Sequence, residues 1–365
     1  MHALSVNTNS HQQIDYPLLY QARDFFGDHE MPFMNELNAL MLAKQPYRGL
    51  KVIHNIHLTL STICKIIPLL LSGADVTVTG THTLTVHPEA LRLIKKAGVK
   101  WVNENQISDD YDIALDCCAG LLHKVNPRIG TVELTQTGVH HYKNYTLPYP
   151  VISVDNSVTK NLETFYGTGD GFVRALQNLT NEELNKKNFV IFGYGKVGKG
   201  VVHALSAYTT NIIVIEKRLK AIHEARNKGL VCVNFNNHNE ILNILDKGGF
   251  CGVTATGENG IISESFNKAD FQNFEYLANI GSEDEFGVKF SSKDVLFNKN
   301  PINFSLADPT LMKYLDPIFY AHNHSIDILL SKKFTPGVHN YPKTQDQYII
   351  KKWFTYHQLT PPDIF

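Results

Sequence analysis

The chain lacks a C-x-x-C pair, a long apolar run, an excess of either charge and any repeat of fixed period. Its five cysteines, Cys64, Cys117, Cys118, Cys232 and Cys251, are odd in number, and two of them are adjacent. That argues against a disulfide framework and leaves free thiols, as expected of a reducing, cytoplasmic compartment. The most apolar run, Ile63 to Leu71, is too short to span a bilayer and carries Lys65 and Pro68. The opening, Met1 to Gln13, lacks the basic-then-apolar pattern of a signal peptide and reads as a frayed tail. Lys and Arg number 34 against 35 Asp and Glu, so nothing marks a nucleic-acid or membrane-surface binder.

What is present is an ordinary globular balance, 43% hydrophobic and 19% charged over 365 residues, enough for two cores or one large one. Two regions alternate strand and helix patterns, the signature of an α/β protein. In the first, strands are expected at 51–54, 75–79, 99–102, 112–115, 131–134 and 151–154, with helices at 58–71 and 88–96. In the second, strands are expected at 189–192, 211–215, 231–235, 252–255 and 276–280, with helices at 201–208 and 219–227. The stretch 165–180, with Gly167, Gly169 and Gly171 close together, reads as a hinge or crossover. Residues 309–330 read as a helix interrupted at Pro317, and 335–365 as a polar surface tail or docking segment.

The second region carries G-x-G-x-x-G at Gly193, Gly195 and Gly198, between an apolar strand and a helix start. The first glycine suits a tight turn, the second lets backbone approach a pyrophosphate, and the third lets helix and strand pack closely. The helix N-terminus then offers free N–H groups to the anion. Glu216 stands about 20 residues on, where a carboxylate holds a ribose 2′-hydroxyl and favours NAD over NADP. Lys217 and Arg218 follow it and weaken that discrimination.

The whole loop, Gly193 to Gly200, resembles the cofactor loop of the S-adenosylhomocysteine hydrolase family. Further segments resemble that family in the same order: His57-Leu58-Thr59, Thr135 to His140, Asn156 to Lys160 with Tyr166-Gly167, Asn279-Ile280-Gly281, Gly337-Val338-His339 and Pro342-Lys343. The resemblance implies an α/β fold of two Rossmann-like, doubly wound domains: a substrate domain over 1–166, an NAD-binding domain over 167–310, and a return helix with a shortened tail over 311–365. It implies tightly held NAD, contacted by Gly193, Gly195, Lys196, Val197, Gly198, Glu216, Thr254, Asn279, Ile280 and Gly281, and by Thr135, Gln136 and Thr137. Catalytic positions would be Lys160, His57 and Glu163, and substrate-side positions Thr59, Ser61, Cys117, Leu134 and Asp316. A homo-oligomer, dimer or tetramer, is expected, and a small-molecule partner.

This chain departs from the family pattern on the substrate side. Ser61 replaces a glutamate, Cys117 an aspartate, Leu134 a glutamate, Gln136 a threonine, Glu163-Thr164 an Asp-Asn pair, and Ser282 and Asp316 histidines. The segment 306–315 lacks the family's Asn-Leu-Gly, and the end, Thr360 to Phe365, lacks its Lys and Tyr. Lys160 still supplies a base for a hydroxyl proton, Glu163 a group for an adjacent hydroxyl, and His57 an acid–base group at the neighbouring carbon. The expectation is an NAD-dependent, adenosylhomocysteinase-like enzyme that oxidises a hydroxyl of a polyhydroxylated or nucleoside-like substrate, with rebuilt base recognition. Genuine S-adenosylhomocysteine hydrolysis and a silent NAD- or nucleoside-binding relative remain as alternatives.

Other residues have plainer readings. His54 and His57 form H-x-x-H without a third ligand at fixed spacing, so no metal is expected. Cys117 and Cys118 have no identifiable base and read as small buried thiols. His140, His141, His322 and His324 read as structural, and Glu283, Asp284 and Glu285 as a solvated acidic turn.

Overall fold

A computed structural model describes residues 13–108 and 110–358. The expected frayed start, Gln13 excepted, and the final Thr360 to Phe365 lie outside the described residues. The chain forms two compact units: Met1–Lys160 with Leu315–Phe365, and Asn161–Tyr314. The family resemblance implies divisions at 166/167 and 310/311.

In chain order, the first unit opens with α1 (Tyr16–Phe26) and α2 (Pro32–Lys44), then β1 (Lys51–Asn55), α3 (Leu60–Leu71), β2 (Asp75–Thr79), α4 (Pro88–Lys96) and β3 (Lys100–Trp101). It continues through β4 (Ile113–Asp116), β5 (Gly130–Glu133), α5 (Gln136–Lys143) and β6 (Pro150–Ser153). The second unit holds α6 (Thr168–Thr180), β7 (Phe189–Phe192), α7 (Lys196–Leu205), β8 (Ile212–Glu216), α8 (Leu219–Asn227) and β9 (Val231–Asn234). It adds α9 (His238–Lys247), β10 (Gly249–Thr254), α10 (Ile261–Ser265) and β11 (Phe274–Asn279). The chain then returns through α11 (Met312–Ser331), β12 (Gly337–Asn340) and α12 (Lys343–Tyr356).

The first unit's sheet runs β12-β6-β5-β4-β1-β2-β3 and the second's β11-β10-β7-β8-β9, with every pairing parallel. Both are doubly wound, so each has one point where the strand order reverses: between β1 and β4, and between β7 and β10. Crossover helices cover parallel sheets on both faces, which is why β4, β5 and β7 are buried along their whole length. α3 starts on a capping box formed by Thr59 and Thr62, and ten of its twelve residues are buried, Lys65 among them. No helix among the described residues is long and apolar enough to cross a membrane.

Four expectations are corrected. Residues 165–180 are not a hinge but helix: a π-helical turn over Leu162–Gly167 runs straight into α6. The glycines there permit close packing instead. A Cβ on Gly169 would lie 2.3 Å from Gly200 O, and one on Gly171 2.2 Å from Pro309 O. The stretch 335–358 is not a polar tail, because β12 pairs with β6 as an edge strand and α12 buries Trp353 and Phe354. The helix after the phosphate loop begins at Lys196 rather than 201, and α11 runs through Pro317 in its second turn instead of being interrupted there.

Candidate functional site

In open α/β sheets, ligands bind beyond the carboxyl ends of the strands at the reversal point. In the first unit those ends carry His57 after β1, Cys117 after β4, Thr135 after β5 and, past β6, Lys160. Lys160 is buried, and its backbone N–H donates to Ser157 Oγ at 3.1 Å. The two N–H groups before it, of Val158 and Thr159, donate to the Asp346 carboxylate at 2.6 and 2.8 Å, and the Thr159 hydroxyl adds a bond of 2.6 Å. Asp346 lies in α12, inside the segment that reads as tail in the sequence, so no pattern there announced it.

His57 Nδ1 accepts the Thr85 N–H at 3.0 Å. A backbone N–H can only donate, so the neutral imidazole carries its proton on Nε2. Burial, and then the positive charge of Lys160, hold His57 below the usual histidine value. His57 and Lys160 therefore share one electrostatic environment within the first unit.

Beneath them, Asp116 and Glu133 are register partners on β4 and β5, and both are fully buried. Burial pushes both carboxyls up, and the charge of Asp116 adds to the effect on Glu133. Asp116 accepts from Asn55 Nδ2, Cys117 N, Leu121 N and the Tyr142 hydroxyl at 2.6–3.0 Å. Glu133 accepts from Cys118 N and Ala119 N, each at 3.1 Å, and from the Thr135 N–H and hydroxyl, each at 2.7 Å. Cys118 and Ala119 both adopt left-handed backbone, φ 58° and 54°, which costs a non-glycine residue about 1–2 kcal/mol. The Glu133 carboxylate is what holds that turn.

The substrate-side residues divide. Thr59 and Ser61 meet at the start of α3, with their hydroxyls 2.8 Å apart. Leu134 is buried just past β5, and Cys117 just past β4. Asp316 is a correction: it is fully buried, and its two carboxylate oxygens accept Phe33 N and Met34 N at 2.8 and 2.9 Å. It caps the otherwise unpartnered start of α2, a structural duty that occupies it. Glu163 belongs to the π-helical turn at the start of the second unit, whereas Lys160 closes the first. His54 is buried with neither ring nitrogen hydrogen-bonded.

In the second unit the phosphate loop follows β7. A Cβ on Gly193, φ 97°, would lie 2.4 Å from Ala255 O, and one on Gly198 2.1 Å from Gly193 O, so both positions are closed to larger residues. A Cβ on Gly195 would lie 3.7 Å from Arg218 Nη2, with no closer contact from other elements among the described residues, which leaves an open backbone face at the start of α7. Lys196 is exposed in the first turn, and Val197 packs on the core. Glu216 ends β8. Burial alone would raise it, but the Arg218 guanidinium and the backbone N–H groups of Arg218 and Tyr194 hold it down at about 2. A cradle shaped by three glycines, a helix start and an ionised carboxylate fits the pyrophosphate and ribose of a dinucleotide.

At the ends of β10 and β11 the Thr254 hydroxyl donates to Asn279 Oδ1 at 3.0 Å, and Asn279 Nδ2 donates to the carbonyls of Gly281, Glu283 and Lys299. These side chains brace the strand ends around buried Ile280. Glu285 corrects the solvated-turn reading: it is fully buried and accepts from Thr256 N, Thr256 Oγ1 and Gly257 N at 2.7–2.8 Å. Thr135, Gln136 and Thr137 belong to the first unit. Thr135 caps α5, while Gln136 and Thr137 are exposed.

Residues 164–299 match the S-adenosyl-L-homocysteine hydrolase, NAD binding domain, family. The chain is 29% identical over 227 residues to the S-inosyl-L-homocysteine hydrolase of Methanopyrus kandleri, covering 54% of this chain and 53% of that one. It is 26% identical over 292 residues to the adenosylhomocysteinase of Thermococcus kodakarensis, covering 73% and 66%. Residues 164–299 are thus similar to the NAD-binding domain of S-adenosyl-L-homocysteine hydrolases.

The matched segment is an NAD-binding domain, and NAD is the cofactor. The match spans between about half and two thirds of the length of these relatives. Among solved structures, a dipicolinate synthase chain from Bacillus halodurans is similar at 12% identity and a TM-score of 0.48, over 78% of this chain and 98% of that one. The glycine cradle and Glu216 lie inside the matched segment, whereas His57, Cys117 and Lys160 lie outside it.

Proposed function

We propose that the chain is an NAD-dependent, adenosylhomocysteinase-like enzyme that oxidises a hydroxyl of a polyhydroxylated or nucleoside-like small molecule. The observation that carries this reading is buried Lys160 acting on a neutral His57 at the carboxyl ends of a doubly wound sheet. NAD, held by Gly193, Gly195, Gly198 and Glu216, supplies a hydride acceptor. Lys160 takes the proton of the substrate hydroxyl. Asp346 fixes the backbone from which Lys160 springs. His57 offers its Nε2–H as a hydrogen-bond donor to an oxygen at the neighbouring carbon. The relatives' names differ in the base they specify, adenosyl or inosyl, which agrees with base recognition being the variable part.

The test is single-turnover reduction of bound NAD on mixing with nucleosides and polyols. The Lys160→Ala variant is expected to keep NAD and to lose its reduction, and unchanged reduction in that variant removes Lys160 from the mechanism.

A second reading, hydrolysis of S-adenosylhomocysteine itself, draws on the same Lys160 and His57. Release of homocysteine thiol in the presence of an adenosine-removing enzyme separates the two.

A further inference from the structure

Cys117 and Cys118 lie at the carboxyl end of β4 with their sulfurs 3.8 Å apart. They differ in setting. Cys117 is 1% exposed, while Cys118 is half-buried and reaches the surface of the turn. The turn is built by the left-handed backbone of Cys118 and Ala119, and it is pinned by Cys118 N donating to Glu133 Oε1 and Thr135 Oγ1 at 3.1 and 3.0 Å. This fixed turn holds the two sulfurs within hydrogen-bond reach of each other.

We propose that Cys118 and Cys117 form a hydroperoxide-reactive dithiol in the Lys160 site, with Cys118 as the attacking thiol and Cys117 as the resolving one. The Cys117 thiol donates to Cys118, which lowers Cys118 and raises Cys117, and the charge of Lys160 further lowers both. One thiolate and one thiol are thus paired, the arrangement that peroxide chemistry requires. The Cys118 thiolate attacks one peroxide oxygen; the O–O bond breaks, sulfur loses two electrons to give a sulfenic acid, and hydroxide leaves. The Cys117 sulfur then displaces the sulfenic oxygen, its proton leaves with that oxygen as water, and the S–S bond forms. In sum, two thiols and one hydrogen peroxide give one disulfide and two waters.

Adjacent Cα atoms are about 3.8 Å apart, below the usual disulfide range, so the bridge is strained and readily reduced. The remaining cysteines differ: burial raises Cys64, Cys232 and Cys251, and each serves as an internal control.

The experiment treats the purified full chain with hydrogen peroxide at neutral pH, alkylates it and digests it with trypsin. The peptide from Trp101 to Lys124 carries Cys117 and Cys118 and no other cysteine. It is expected to lose the mass of two hydrogens, to resist alkylation at both thiols, and to regain both on treatment with dithiothreitol. In Cys117→Ser, Cys118 is expected to stop at a sulfenic acid trapped by dimedone. In Cys118→Ser, Cys117 is expected to stay alkylatable after unfolding. A wild-type peptide with Cys118 as sulfinic acid and Cys117 still free overturns the proposal, as does oxidation of Cys118 no faster than that of Cys64. These readouts need no substrate, so the dithiol and the hydroxyl-oxidation reading fail separately.

Discussion

Asp346 binds Thr159 twice through one oxygen: Oδ1 accepts both the backbone N–H, at 2.8 Å, and the hydroxyl, at 2.6 Å. With Oδ2 taking Val158 N, one carboxylate holds the two residues that lead into Lys160. Removing it strands three donors in a buried setting. Asp346→Ala is expected to lower stability by roughly 2–4 kcal/mol in denaturant unfolding. It is also expected to cut turnover more than cofactor affinity, since Asp346 touches the first unit's loop and not the glycine cradle.

The glycine loop separates folding from binding. Gly198→Ala places a Cβ 2.1 Å from Gly193 O, so backbone must move. Its thermal midpoint and its NAD content are both expected to fall. Among the described residues, the nearest atom of another element to a Cβ at Gly195 is Arg218 Nη2, at 3.7 Å. Gly195→Ala should fold normally and lose about tenfold or more in NAD affinity, measured by calorimetry, because the Cβ occupies the pyrophosphate approach.

Arg218 sits on Glu216, with Nη2 to Oε2 at 2.9 Å and Nε to Oε1 at 3.1 Å. Glu216→Ser removes the carboxylate that repels a 2′-phosphate and frees the guanidinium to accept one. The ratio of NADP to NAD affinity is expected to rise about tenfold or more. An unchanged ratio places the ribose elsewhere.

His57 is held below 6.5, first by burial and then by Lys160. It therefore stays neutral as pH falls through 6.5, and protonates only at lower pH. In Lys160→Ala the second cause is gone, so the imidazole is expected to titrate closer to the ordinary value. Proton NMR of the ring across a pH series reads this directly, and no upward movement separates the two residues.

Lys65 is fully buried in the first unit, with Nζ donating to Asn323 Oδ1 at 2.6 Å. Burial drives it well below 10.5, while in the unfolded chain it keeps its ordinary value. Between its lowered folded-state value and 10.5 the unfolded state binds the extra proton, so over that window stability rises with pH until 10.5 is passed. His54 and His322 are lowered by burial in the same way, and they add a loss of stability as pH falls through 6.5. Lys65→Met is expected to flatten the alkaline slope of the denaturation midpoint and leave the acid limb in place.

Much of this protein was readable along the chain because its signals are local. The parallel strands are short apolar runs, and the expected boundaries differ from the observed ones by at most three residues, as at 112–115 against Ile113–Asp116 and 252–255 against Gly249–Thr254. The G-x-G-x-x-G spacing encodes a turn, an approach and a packing contact within six residues. Glu216 follows from strand length alone.

The failures share one cause, the use of polar residues by partners far away in the sequence. Asp316 binds α2, 282 and 283 residues distant, and Asp346 binds the Lys160 segment 187 and 188 residues distant. Glu285 binds Thr256 and Gly257 across two strand ends. The glycines at 167–171 looked like freedom in sequence and proved to be close contact in the fold.

By itself, then, the sequence determined two doubly wound α/β units and an NAD cradle, because backbone periodicity and glycine stereochemistry act over a few residues. Tertiary structure decided which carboxylates are spent on capping and which shape a site. Only packing shows whether the nearest donor to a carboxylate belongs to the chain. It also decided that His57, Lys160 and the Cys117–Cys118 pair share one end of one sheet, a meeting produced by strand order rather than by sequence spacing.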